Sequence, residues 1–150
     1  MKSKIHEDLK LGVAVESADY RSAGSLYNGA AAASNTYINV NGYDSILFHA
    51  NVGVIGAGNT LDINILENDD DDVTVATAIS GAAFTQLTSA NDQQQHYAEL
   101  RCSGQKQYLW VETFKTSTGS CNIGVTYMLN GGTGPVMTAP VFDIDGAPTV

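Results

Sequence analysis

Residues 52–60 read V-G-V-I-G-A-G-N-T, the opening of a dinucleotide-binding fingerprint. In that motif a hydrophobic strand runs into Gly-x-Gly-x-x-Gly, and backbone amides at a helix N-terminus meet a pyrophosphate. Gly56 and Gly58 fit, but Leu61 stands where the third glycine belongs. Leu61, Asp62, Ile63, Asn64 and Ile65 then alternate apolar and polar, the period of a strand. A strand in place of the helix removes the phosphate site, so the segment reads as a glycine-rich hairpin and no cofactor is assigned.

The other candidates dissolve in similar ways. The run of four aspartates at 69–72 lacks the alternate spacing, the sixth-position glycine and the twelfth-position glutamate of a calcium loop. Asp143-Ile144-Asp145-Gly146 is a fragment of that pattern without the downstream glutamate. Both read as solvated turn carboxylates, with magnesium or calcium at an oligomer contact left open. His6, His49 and His96 stand alone, and neither Cys102 nor Cys121 has a ligand at zinc spacing. No Gly-x-Ser-x-Gly elbow and no His-Glu-x-x-His pair occurs, and a carboxylate pair such as Glu67 with Glu99 is what any acidic β protein offers by chance. No catalytic, cofactor or metal residue is assigned, and the chain reads as a non-enzyme.

Aromatic side chains are the remaining candidates. Tyr108, Trp110 and Phe114 share one face of a strand whose other face carries Leu109, Val111 and Thr113. An exposed aromatic row would stack on sugars. A sandwich strand sends one face into the core, however, and an arm or a neighbouring subunit can cover the other, so packing is the favoured reading.

The elements that position these residues follow from composition and period. With 150 residues and 15.8 kDa the chain has room for one domain. Hydrophobic residues make up 43%, enough for a core, while charged residues reach only 15%, so the surface is built from uncharged polar side chains. The net charge of −9 repels phosphate backbones, which excludes nucleic acid as an expected partner. No apolar run near the start has the length of a signal peptide core, and the apolar stretch 46–55 is broken by His49, Asn51 and Gly53, well short of a membrane helix. Neither secretion nor a membrane is expected.

Residues 1–33 read as an arm and linker, with Leu11, Val13 and Val15 on one face of a short alternating run. From residue 34 the period is two. Thr36, Ile38 and Val40 lead to Asn41-Gly42, a pair suited to a tight hairpin turn. Ile46, Phe48, Ala50, Val52 and Val54 follow on one face, then Leu61, Ile63 and Ile65, and later strands over 97–102, 107–114 and 121–129. If these form a meander, Cys102 and Cys121 lie roughly 23 Å apart, too far for a disulfide, and two thiols are expected. The fold class is all-β: an antiparallel β-sandwich or barrel, jelly-roll-like, with its core over 34–129, an extended N-terminal arm over 1–33 and a C-terminal tail over 130–150. That tail carries Met137, Val141, Phe142 and Ile144, apolar residues that must dock on their own domain or on a neighbour.

The segment 35–129 resembles the small capsid decoration, or cement, proteins of tailed bacteriophages. The resemblance rests on G-Y-D-S-I-L-F-H-A at 42–50, L-D-I-N-I-L-E-N-D-D-D-D at 61–72, A-F-T-Q-L-T at 83–88, the turn Ser103-Gly104-Gln105-Lys106 and Y-L-W-V at 108–111. Trp110 stands where such proteins often carry Arg, so that residue's contact does not transfer. The resemblance implies a structural protein of the outer capsid surface, made in the host bacterial cytoplasm. It would sit there as a homotrimer that clamps major capsid subunits, without cofactor, nucleic acid or membrane. Ile5, Leu9 and Leu11 in the arm and Phe142 and Ile144 in the tail are then the expected contact residues. A head fibre base, neck or tail component, and a carbohydrate-binding sandwich module, are the alternatives.

Overall fold

The computed structural model describes residues 9–19, 24–27, 37–116 and 121–132, and Ile5, Phe142 and Ile144 lie outside them. The described residues form nine strands: β1 (Leu9–Asp19), β2 (Gly24–Tyr27), β3 (Ile38–Asn39), β4 (Tyr43–Ile55), β5 (Leu61–Asn68), β6 (Thr77–Ala83), β7 (Gln95–Arg101), β8 (Tyr108–Lys115) and β9 (Cys121–Gly132). A single 3-10 turn, Val73–Val75, is the one helical element among the described residues. The strands form two antiparallel sheets that pack as a sandwich. The first has the order β1-β9-β4-β7, and the second β2-β8-β5-β6, with β3 also pairing with β8.

Alternation builds the core as the sequence predicts. Ile46, Phe48, Ala50 and Val52 of β4 and Ile123, Val125 and Leu129 of β9 point inward from the first sheet. Leu61, Ile63 and Ile65 of β5 and Leu109 and Val111 of β8 meet them from the second. One expected core residue departs. The β4–β9 register shifts between Val52 and Ile55, so Ile55 is buried and Val54 faces solvent. An extra residue in a strand exchanges its faces, which a strict period of two does not anticipate.

Pairing differs from expectation more than the strands do. The Asn41-Gly42 turn forms, with Gly42 at φ 85° and the Tyr43 N–H donating to the Val40 carbonyl at 3.1 Å. It is not a hairpin, because β3 pairs with β8 in the second sheet while β4 belongs to the first. The glycine-rich segment likewise carries the chain from β4 in the first sheet to β5 in the second, so it too is a crossover. Both corrections have one cause: inward and outward positions alternate identically whether the next strand lies beside its predecessor or across the core.

The meander premise for the cysteines also fails, since β7 and β8 lie in different sheets. Cys102 donates its backbone N–H to the Asp44 carbonyl at 2.9 Å, whereas Cys121 lies beside Ile55. Those β4 positions are eleven residues apart, about 36 Å of strand. The two buried thiols stand at opposite ends of one strand, out of each other's reach.

Residues expected in the arm contribute two strands. β1 pairs with β9 along the edge of the first sheet, and β2 pairs with β8 in the second. Leu11, Val13 and Val15 do not share a face: a register shift between Val13 and Val15 turns Val15 into the core and leaves Leu11 and Val13 about half exposed. β9 also continues past residue 129 to Gly132. β6 was not foreseen, because its sequence T-A-I-S-G-A-A buries little and lacks a clean alternation.

Candidate interaction face

Cross-strand register places the outward side chains of the first sheet in rows. Val13, Thr126, His49 and Tyr97 form one row across β1, β9, β4 and β7. Leu11, Met128, Leu47 and Glu99 form the next, and Asn130, Ser45 and Arg101 the one after it. Two adjacent rows are therefore largely apolar on the side away from the core. Leu11 is 54%, Val13 51% and Tyr97 60% exposed. Between them lies a shallow groove of about 370 Å³ lined by Leu11, Val13, Leu47, His49, Tyr97 and Met128, among others.

His49 occupies the centre. Its ring stacks on Tyr97, with centroids 4.8 Å apart and planes 15° from parallel, and Nδ1 lies 3.4 Å from the Thr126 hydroxyl. Its Nε2 is buried yet has no hydrogen-bond partner, a cost that a partner seated in the groove would remove. Arg101, two rows away on the same face, makes no ion pair among the described residues. Beneath the face, Gly12 makes room for an aromatic ring: a Cβ there would fall on Tyr127. Burial, with Tyr43 nearby, holds the Tyr127 phenol above its ordinary pKa and so protonated.

Around Trp110 the outer face of the second sheet is closed by the chain itself. Trp110 lies beside Leu66 across the β5–β8 ladder and is fully buried against Leu66 and Val73, with Tyr108 and Ala76 at the margin. The 3-10 turn that follows the acidic run brings Val73 over it. Asn68 donates through Nδ2 to the Asp72 carbonyl at 3.0 Å, and its Oδ1 accepts from the Asp69 N–H at 2.9 Å. Asp72 caps the 3-10 turn, accepting from the Thr74 N–H at 2.9 Å and the Thr74 hydroxyl at 2.6 Å. These bonds hold the Asp72 carboxyl below the usual carboxylate range. Lys106 sits 3.6 Å from Asp69 across the exposed rim.

Most sequence candidates are thus placed apart. Leu11 lies on the bare outer face, and Leu9 starts β1, its backbone opposite Asn130. Glu67 and Glu99 belong to different sheets, and Glu67 accepts the Lys106 backbone N–H at 2.9 Å. His96 Nε2 lies 3.1 Å from the Asn91 carbonyl. Among the described residues no group of three potential ligands could hold a metal. Trp110, proposed for sugar stacking, is inaccessible. The residues that sequence reading missed, Leu47, His49, Tyr97 and Met128, carried one usable signal: Leu47 alternates out of phase with the core positions of β4, and Met128 with those of β9.

No family model matches this chain, and no curated protein matches it in sequence. Among solved structures it is similar to VP2 in the subviral particle of infectious bursal disease virus, with a TM-score of 0.52 and 14% identity over 83% of this chain and 32% of that one. Structures of the Gx and Gt strains of the same virus align at 15% identity over 85% of this chain and 32% and 34% of theirs, with TM-scores of 0.49 and 0.48. The chain spans about a third of the length of these neighbours. They are capsid proteins of a eukaryotic virus, not tailed-phage decoration proteins. At this identity the likeness is one of fold, and the fold shared with VP2 of the subviral particle is a β-sandwich.

Proposed function

We propose that this chain is a structural virion protein that acts by burying surface against other protein subunits, with no bond made or broken. The observation that carries the reading is a capsid-type sandwich whose first sheet presents an apolar outer face. Contiguous exposed apolar surface on a small domain marks a contact with something else. The acidic surface suits a position away from nucleic acid.

In its finer form the proposal is a decoration protein on the outside of a bacteriophage head, made in the bacterial cytoplasm and assembled as a homotrimer that binds the major capsid protein. Leu9 and Leu11 on β1 adjoin the candidate face. Ile5, Phe142 and Ile144 supply the flanking contacts. Repetition around a symmetric shell turns modest contacts into stable attachment. Among the described residues no helix is long and apolar enough to cross a membrane.

Light scattering and particle composition test this together. A solution mass near three times 15.8 kDa, and a copy number in purified particles that follows the shell symmetry, are the expected results. A low copy number at a single vertex would favour a neck, tail or fibre-base component, and absence from particles would end the reading.

A further inference from the structure

A sheet edge is a row of unpaired backbone groups, and folded proteins blunt such edges with short strands or bulges. Among the described residues the sandwich does so at every edge except β7. β1 carries two register shifts in its pairing with β9. β6 carries one against β5 and bends at Gly81, with φ 79°. β2 and β3 are only four and two residues long. β7 is seven residues long, pairs with β4 without a shift and, among the described residues, has no strand on its other side.

Hydrogen bonds identify the groups that stand open. The Cys102 N–H donates to the Asp44 carbonyl at 2.9 Å and the Val52 N–H to the Gln94 carbonyl at 3.1 Å, both in the β4–β7 register. Alternation then commits Leu100, Ala98 and His96 to β4 and turns the N–H and C=O of Gln95, Tyr97, Glu99 and Arg101 toward the free edge. The strand is also self-complementary. Turned about a two-fold axis at Ala98, it sets Tyr97 opposite Glu99 and Gln95 opposite Arg101 of a second copy, and every open group of the four finds a partner. Centring on Glu99 would set two carboxylates face to face, and centring on Tyr97 or Leu100 would leave open groups at one end. At Ala98 the outer rows also meet: Val13, Thr126, His49 and Tyr97 run into Glu99, Leu47, Met128 and Leu11 of the second copy.

We infer that β7 is a docking edge for a second copy of this chain, joined antiparallel to that copy's own β7 about a two-fold axis at Ala98. The two four-stranded sheets become one, and their apolar outer faces become continuous while staying bare. One strand pair is a small contact, so copies associate through it when they are crowded, as on a shell. There it links one trimer of the proposed assembly to the next. The pairing itself rests on the β7 edge, not on a role in a particle.

The test uses the full chain in concentrated solution, with diamide as the thiol oxidant. Ala98→Cys brings two cysteines to Cα atoms about 4.5 Å apart in the proposed pair, within disulfide reach. It is expected to form a two-chain product several-fold faster than Thr77→Cys, an exposed position on β6. The unsubstituted chain reads the background from buried Cys102 and Cys121. Gln95→Cys mixed with Arg101→Cys, both at exposed positions, is expected to give the mixed pair. Either variant alone gives little, because like positions then stand six strand positions apart, about 20 Å. Cross-linking of Ala98→Cys no faster than that of Thr77→Cys, in protein whose urea midpoint matches the unsubstituted chain, would overturn the inference. Mixed pairs no more frequent than like pairs would overturn it as well, and neither result bears on attachment to particles through the outer face.

Discussion

The two outer faces of the sandwich meet the same problem in opposite ways. Each sheet carries large apolar side chains on the side away from the core. On the second sheet the chain lays the 3-10 turn after its acidic run across Trp110, and the loop leading into that turn is fixed by Asn68 and Asp72. On the first sheet Leu11, Val13 and Tyr97 are about half exposed or more, around a groove whose central histidine has an unsatisfied nitrogen. A covered aromatic is part of the fold. An unpartnered buried nitrogen occurs on both sheets, at His49 Nε2 and at Trp110 Nε1, so the difference between the faces is exposure, and the proposed contact is placed on the exposed one.

The comparison can be broken most forcefully at Trp110. Trp110→Ala empties the second-sheet cluster and is expected to cost about 3–5 kcal/mol, read as a lower midpoint in urea unfolding. A loss below about 1 kcal/mol would show that the lid is not structural. Next is Gly12→Ala, whose new methyl meets the Tyr127 ring. A loss of about 1–3 kcal/mol is expected, and Tyr127→Ala in the same chain should recover part of it.

Asp72→Ala removes the cap of the lid and is expected to cost about 1 kcal/mol, with a red shift of Trp110 fluorescence as the cluster opens. On the bare face, Val13→Lys is expected to change stability by less than about 0.5 kcal/mol while abolishing attachment to particles. A Val13→Lys protein that unfolds early would make this face part of the fold, and the contrast would vanish.

The smallest effect is one of pH. Burial, with the Asp44 carboxylate nearby, pushes the Cys102 thiol up to about 11 from 9.0. Because the folded state holds its proton longer than the unfolded chain, this contribution is complete below pH 9 and is lost as pH rises toward 11. Cys102→Ala should flatten that part of the alkaline decline in urea midpoint. At neutral pH the buried, protonated thiol should react slowly with iodoacetamide.

Strand composition was legible wherever both faces differ strongly. β4, β5, β8 and β9 follow from Ile46, Phe48, Ile63, Leu109, Ile123 and their alternating neighbours. Two features were not. Sheet membership depends on which strands lie across the core, and the alternation around Asn41-Gly42 is the same for a hairpin and for a crossover. Register shifts at Val13/Val15 and Val52/Ile55 exchange faces after one extra residue, which turned Val15 into the core and Val54 to the surface. The candidate face was half legible: Leu11 was named from the sequence, but bringing it beside Met128, Leu47, His49 and Tyr97 required the order β1-β9-β4-β7. Trp110 was placed correctly on the side away from Val111, yet only the fold of residues 69–75 shows that it is sealed.

Hydroxyl-radical footprinting of the chain within purified particles tests the central claim most directly. The account predicts that Leu11, Tyr97 and Met128 on the first sheet are protected, while Val75 and Phe114 on the side of the second sheet, which are exposed in the isolated sandwich, remain labelled. Labelling of Tyr97 and Met128 as strong as that of Val75 and Phe114 would contradict it.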